Sequence, residues 1–116
     1  MRPHEKLEAW KQSMQLVKEI YKLTKHFPKE ELFFLTQQMR RSAISIPSNI
    51  AKGSGRSSTK EYAHFNIIAT GSLSKLETQI QIAQMLKYTN DTQNITAIAS
   101  HIGLFLTGLH KKWRTT

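Results

Sequence analysis

From Leu7 onward, apolar side chains return every three or four positions, the period that gathers them on one side of an α-helix. Leu7, Trp10, Met14, Val17 and Tyr21 make one row, and Leu16, Ile20, Leu23 and Phe27 make a second, about 120° around the axis. Two rows predict two packing neighbours for a first helix from Glu5 to His26, with Pro3 suited to its first turn. Phe27-Pro28 then forces a break, because the residue before proline is pushed out of the helical region.

A second helix is expected to start at Pro28, with Glu30 and Glu31 at the positive end of its dipole. Leu32, Leu35, Met39, Ser42, Ile46 and Asn49 hold the spacing straight through Pro47, which predicts one helix kinked at Pro47. Proline in a helix interior costs about 3 kcal/mol and the glycine at Gly71 about 1. Tertiary packing has to offset both. Gly53-Ser54-Gly55 is expected to end the helix with a glycine in the left-handed conformation, and Ser58-Thr59-Lys60-Glu61 reads as a capping box opening the next.

The third helix, Thr59 to Tyr88, has a core stripe of Tyr62, Phe65, Ala69, Leu73, Leu76, Ile80 and Ala83. Ile67, Ile68, Gly71, Ile82, Met85 and Leu86 cluster on roughly the opposite side, more apolar surface than a bundle helix needs. These six residues are therefore the candidate oligomer interface, with Gly71 allowing close approach of a second backbone. Asn90-Asp91-Thr92 caps a fourth helix whose stripe is Ile95, Ile98, Ile102, either Phe105 or Leu106, Leu109 and Trp113. Lys111, Lys112 and Arg114 sit at its negative end. Four helices, short connections and no strand-like alternation give an all-α, antiparallel up-and-down four-helix bundle, one domain over residues 1–116.

Charge adds the main functional hint. Seventeen basic residues against eight acidic ones give a formal net charge of +9 and a pI near 10.1, which favours polyanionic partners such as RNA or DNA, or an acidic protein. Lys11, Lys18, Lys22 and Lys25 share one face of the first helix. Arg41, Ser45, Ser48 and Lys52 form a polar stripe on the second, and Arg56 and Lys60 flank the glycine-rich turn before the third. The eight candidate nucleic-acid contacts are thus Lys11, Lys18, Lys22, Lys25, Arg41, Lys52, Arg56 and Lys60. Few aromatics lie among them, so contact with phosphates insensitive to base sequence is the expectation.

Enzymatic chemistry finds little footing. There is no cysteine, and His4, His26, His64, His101 and His110 show no metal-ligand spacing. Arg56 and His64 are separated by one residue more than a helical nuclease of the HEPN type requires, and no P-loop follows the glycines. No enzyme activity, metal or cofactor is expected. The opening residues lack an apolar leader and no segment suits a membrane span, so a cytoplasmic protein without membrane contact is expected.

At its centre the chain resembles a known family. Arg41-Ser42-Ala43, Ser45-Ile46-Pro47-Ser48-Asn49-Ile50-Ala51, Gly53, Arg56, Ala69 and Gly71-Ser72-Leu73 look like the signature of bacterial four-helix bundle proteins, some encoded in intervening sequences of the 23S ribosomal RNA gene. The accessory protein of diversity-generating retroelements is a more distant member. The resemblance implies a left-handed bundle assembled as a homopentamer with a basic surface or pore and no catalytic activity. In the retroelement branch it implies binding to a reverse transcriptase and nucleic acid. Two positions depart from the pattern. Lys52 and Lys75 stand where the family usually has glutamate, which predicts that Arg41 or Arg56 loses an acidic partner and the local field becomes more positive.

Overall fold

The structure, a computed structural model, describes the backbone of residues 2–114 and the side chains of residues 2–5 and 7–109. Four helices carry the fold: α1, Glu8–Thr24; α2, Leu35–Ser54; α3, Thr59–Met85; and α4, Gln93–Arg114. Short 3-10 turns, Pro3–Lys6 and Lys29–Glu31, precede α1 and α2. Each helix packs on two neighbours, α1 on α2, α2 on α3, α3 on α4 and α4 back on α1, with the α2–α3 seam the most extensive. The result is an antiparallel up-and-down bundle of 46 × 23 × 22 Å, and no strand occurs among the described residues.

The core follows the apolar period closely. Leu16, Ile20, Met39, Ala43, Ile46, Leu76, Ile102 and Leu106 are almost wholly removed from water. Leu106 rather than Phe105 is the core residue of α4, since Phe105 remains 39% exposed. On α1 the buried line is Ala9, Ser13, Leu16, Ile20 and Thr24. Its two hydroxyls donate to backbone carbonyls one turn back, Ser13 to Trp10 and Thr24 to Ile20, each at 2.8 Å, which satisfies them inside the core. The other expected row is a margin, with Leu7, Trp10 and Val17 packed at the edge and Met14 and Tyr21 exposed. On α3 the stripe is as expected except that Phe65 is half-buried and Asn66 takes the inner position, donating to the Leu106 carbonyl of α4 at 3.2 Å.

As expected, α2 continues unbroken through Pro47. Proline removes the N–H that would serve the Ala43 carbonyl and crowds the preceding turn, and side chains just beyond it add hydrogen bonds to the next two carbonyls. Ser48 Oγ donates to the Ile44 carbonyl and Asn49 Nδ2 to the Ser45 carbonyl, both at 2.8 Å.

The first helix starts at Glu8 instead of Glu5, because Leu7 is extended, φ −80° and ψ 129°, and separates it from the turn at Pro3–Lys6. Beyond α1, the helix ends differ from expectation in three places. First, α2 begins at Leu35 instead of Pro28, because residues 32–34 form a turn that leaves Leu32, Phe33 and Phe34 exposed. The run Leu32-Phe33-Phe34-Leu35 has more bulk than one helix face can bury, and only Leu35 enters the core. Glu31 Oε1 accepts from Leu35 N at 3.4 Å, which serves the new helix start. Second, the end of α2 uses no left-handed glycine: Gly55 has φ −89°. Gly53 is instead favoured by close approach, since a Cβ there would lie 3.1 Å from Phe65 Cβ on α3. Third, α3 ends at Met85, and Lys87 takes the left-handed conformation, φ 62°. Tyr88 N donates to the Ala83 carbonyl and Lys87 N to that of Gln84, each at 2.9 Å, the hydrogen bonds of a Schellman motif.

Candidate nucleic-acid interface

Because the helix period turns the core face inward, it must turn the intervening positions outward. On α1 those positions carry Lys11, Lys18, Lys22 and Lys25, all exposed on one face over about 21 Å of helix. Lys11 and Lys22 have acidic neighbours, Glu8 at 3.6 Å and Glu19 at 3.9 Å, one turn away on their own helix. Such solvated pairs hold little energy and remain open to competition from a phosphate. Lys18 and Lys25 have no ion-pair partner among the described residues.

On α2, Arg41 and Lys52 are exposed, without an acidic partner among the described residues. The expected polar stripe does not survive whole. Ser45 turns into the seam with α3, where its hydroxyl lies 2.8 Å from that of Ser72 and accepts from Asn49 Nδ2 at 3.0 Å. Arg56 also differs from expectation, for it keeps an acid: its Nε lies 4.0 Å from Glu61 Oε2, and its guanidinium sits 5.0 Å from the Phe65 ring centre. Of the two arginines, only Arg41 is without an acidic partner among the described residues. Ser58 Oγ accepts from Glu61 N at 3.1 Å, so the predicted cap at the start of α3 is formed, and Lys60 projects exposed from its first turn.

The structure thus spreads the eight cations over the bundle. Lys11, Lys18, Lys22 and Lys25 follow α1, Arg41 edges the groove between α1 and α2, and Lys52, Arg56 and Lys60 lie toward the bundle end where α2 gives way to α3. Lys111, Lys112, Trp113 and Arg114 lie at that same end by topology, but their side chains fall outside those described. Among the described residues no three His, Cys, Asp or Glu side chains converge as a metal site would require, and no helix is long and apolar enough to cross a membrane.

The sequence profile of the 23S rRNA-intervening sequence protein family matches residues 5–108. The chain belongs to that family. No curated protein matches it. In this family member the signature residues are chiefly packing devices. Ser45, Asn49 and Ser72 form one polar chain across the α2–α3 seam, and Gly53 admits Phe65. Gly71 has no such role within the chain, since a Cβ there would meet nothing within 4 Å.

The candidate interface on α3 is only partly outward. Ile67 is 60% and Met85 71% exposed, and Ile68, Gly71 and Leu86 are also exposed, but Ile82 is half-buried against the core. Leu104 on α4, 72% exposed, was not singled out by the sequence pattern. Arg40 was also missed. It donates from Nε to Thr24 Oγ1 at 2.9 Å and lies 4.4 Å over the Tyr21 ring, tying α2 to α1. Its signal was a basic residue beside the core position Met39, where a long side chain reaches across the neighbouring helix.

Proposed function

We propose that this protein is a non-enzymatic, homo-oligomeric basic scaffold that associates with RNA or DNA through phosphate contacts and without reading base sequence. The observation that carries the reading is the set of exposed cations, Lys18, Lys25, Arg41, Lys52 and Lys60, with no acidic partner among the described residues. A surface carrying net charge +9 with so little internal neutralisation attracts polyanions at long range. The family's name, which ties it to a ribosomal RNA intervening sequence, supports a nucleic-acid setting. Oligomerisation is supported by Ile67 and Met85 in water and by the open face of Gly71. The pentameric number rests on family resemblance.

The test is fluorescence anisotropy with a single-stranded RNA of mixed sequence at about 50 and 200 mM salt. The reading expects binding at the lower concentration that weakens at least tenfold at the higher, with little change when the sequence is scrambled. Absence of binding at low salt overturns it. Light scattering tests the assembly, and a monomer at micromolar concentration overturns the oligomeric part.

A second reading is favoured by one observation, an apolar groove between α1 and α2. There the protein acts as an adaptor that docks a nucleic-acid enzyme, such as a reverse transcriptase, and has no strong nucleic-acid affinity of its own.

A further inference from the structure

A groove of about 310 Å³ opens between α1 and α2, lined by Tyr21, Leu32, Phe33 and Ile44 and edged by Arg40 and Arg41. Phe33 is 75%, Leu32 47% and Ile44 43% exposed, and Met14, two turns before Tyr21 on the same helix face, is 46% exposed. Large apolar side chains held together in water mark a surface that something covers.

Two arginines and no acidic side chain are among the residues lining this groove. Lys18 and Lys25 stand three residues before and four after Tyr21, so they flank it along α1. Arg41 stands on the α2 side. These are three of the cations without an acidic partner among the described residues, whereas Lys11 and Lys22, further round the helix from Tyr21, are the ones paired with glutamates. Unneutralised charge and unburied apolar surface therefore coincide.

We propose that the groove docks an acidic amphipathic segment of a partner protein, its apolar side chains entering between Tyr21 and Ile44 and its carboxylates meeting Lys18, Lys25 and Arg41. This deepens the adaptor reading, on which it rests, by naming where the partner sits and what chemistry it carries. A second copy of this chain is the poorer match in charge: it carries eight acidic residues against seventeen basic ones, and four of the eight, Glu8, Glu19, Glu61 and Glu31, already engage Lys11, Lys22, Arg56 and Tyr88. A nucleic acid fits less well, because the Tyr21 ring is covered by Arg40 and Leu32 and Ile44 are aliphatic, which leaves Phe33 as the one open ring of the lining for base stacking.

The test titrates the full chain with a labelled 16-residue helical peptide bearing leucines on one face and glutamates elsewhere. A twin peptide with lysine for every glutamate is the control, and a single-stranded RNA 20-mer is the third probe. The expected result is saturable binding of the glutamate peptide and not of its lysine twin, with NMR shifts centred on Tyr21 and Ile44. Phe33→Ser with Ile44→Ser weakens peptide binding at least tenfold and leaves RNA affinity unchanged. Arg41→Glu, which keeps the apolar lining, weakens it similarly, and circular dichroism checks that both variants fold. Equal binding of the two peptides, or indifference to both variants, overturns the proposal. So does loss of RNA binding, or of self-association, in the apolar double variant. Shifts centred on α3 and α4 overturn the groove while leaving the adaptor reading standing; no peptide binding anywhere removes both.

Discussion

The hydroxyls of Ser45 and Ser72 lie 2.8 Å apart across the α2–α3 seam, two turns of hydroxyl-bearing helix meeting at the edge of an apolar core. Either hydroxyl can be the donor, and Asn49 supplies a further hydrogen to Ser45 Oγ at 3.0 Å. Removing one member leaves the other underserved, so Ser72→Ala and Ser45→Ala are each expected to cost about 1 kcal/mol in urea denaturation. The double variant is expected to cost clearly less than the sum. Additive losses would mean that the two side chains act separately.

Gly53 and Gly71 sit in helices for opposite reasons, and alanine tells them apart. At Gly53 a Cβ would stand 3.1 Å from Phe65 Cβ and 3.5 Å from the Tyr62 carbonyl, so α3 itself must shift. Gly53→Ala is expected to lower stability by about 1 kcal/mol or more despite alanine's better helix propensity. At Gly71 nothing lies within 4 Å, and Gly71→Ala is expected to gain up to about 1 kcal/mol within the protomer. If Gly71 meets a second subunit, the same change weakens assembly in light scattering while thermal stability of the dilute protein rises.

Lys87 takes the left-handed conformation that glycine adopts without strain. Lys87→Gly keeps the two Schellman hydrogen bonds and relieves about 1 kcal/mol of backbone strain. Its melting temperature is expected to rise by several degrees in calorimetry.

Tyr88 donates to Glu31 Oε2 at 2.6 Å and packs its ring 5.5 Å from that of Phe27. The hydrogen bond to the Glu31 carboxylate, then burial, then the charges of Glu31 and Glu30 hold the Tyr88 phenol above its usual pKa of 10.0. With the folded value above the unfolded one, the folded protein retains the proton more tightly. The contribution is therefore complete below pH ~10 and is lost as pH rises through the folded pKa. Alkaline titration followed by tyrosinate absorbance, compared with a Tyr88→Phe variant, is expected to show Tyr88 ionising late. Glu31→Gln is expected to move it back toward the ordinary range.

The helix period, read from Leu16, Ile20, Met39, Ile46, Leu76 and Ile102, was enough to give the bundle, because a core position must recur on one helix face whatever the neighbours are. Boundaries were less legible. Nothing local in Leu32-Phe33-Phe34-Leu35 says which of four bulky side chains the core will accept, and the answer depends on where α1 and Tyr88 stand. Gly53 and Lys87 show the same limit: a glycine signals either a left-handed turn or a close approach, and the choice is made by Phe65, more than ten residues away. The candidate cations were legible as exposed. Which of them kept acidic partners was not, since Glu8, Glu19 and Glu61 each reach only a neighbour that side-chain geometry selects.

The central claim is that exposed cations, the α1 lysines among them, hold nucleic acid through its phosphates. The most direct measurement is the salt dependence of single-stranded RNA affinity for the wild type and for Lys11→Glu, Lys18→Glu, Lys22→Glu and Lys25→Glu combined. Each phosphate contact on a single strand contributes about 0.7 to the slope of log K against log salt. The account predicts that the combined variant loses about 3 from that slope, with much weaker binding at low salt and unchanged helicity. An unchanged slope and affinity would contradict it.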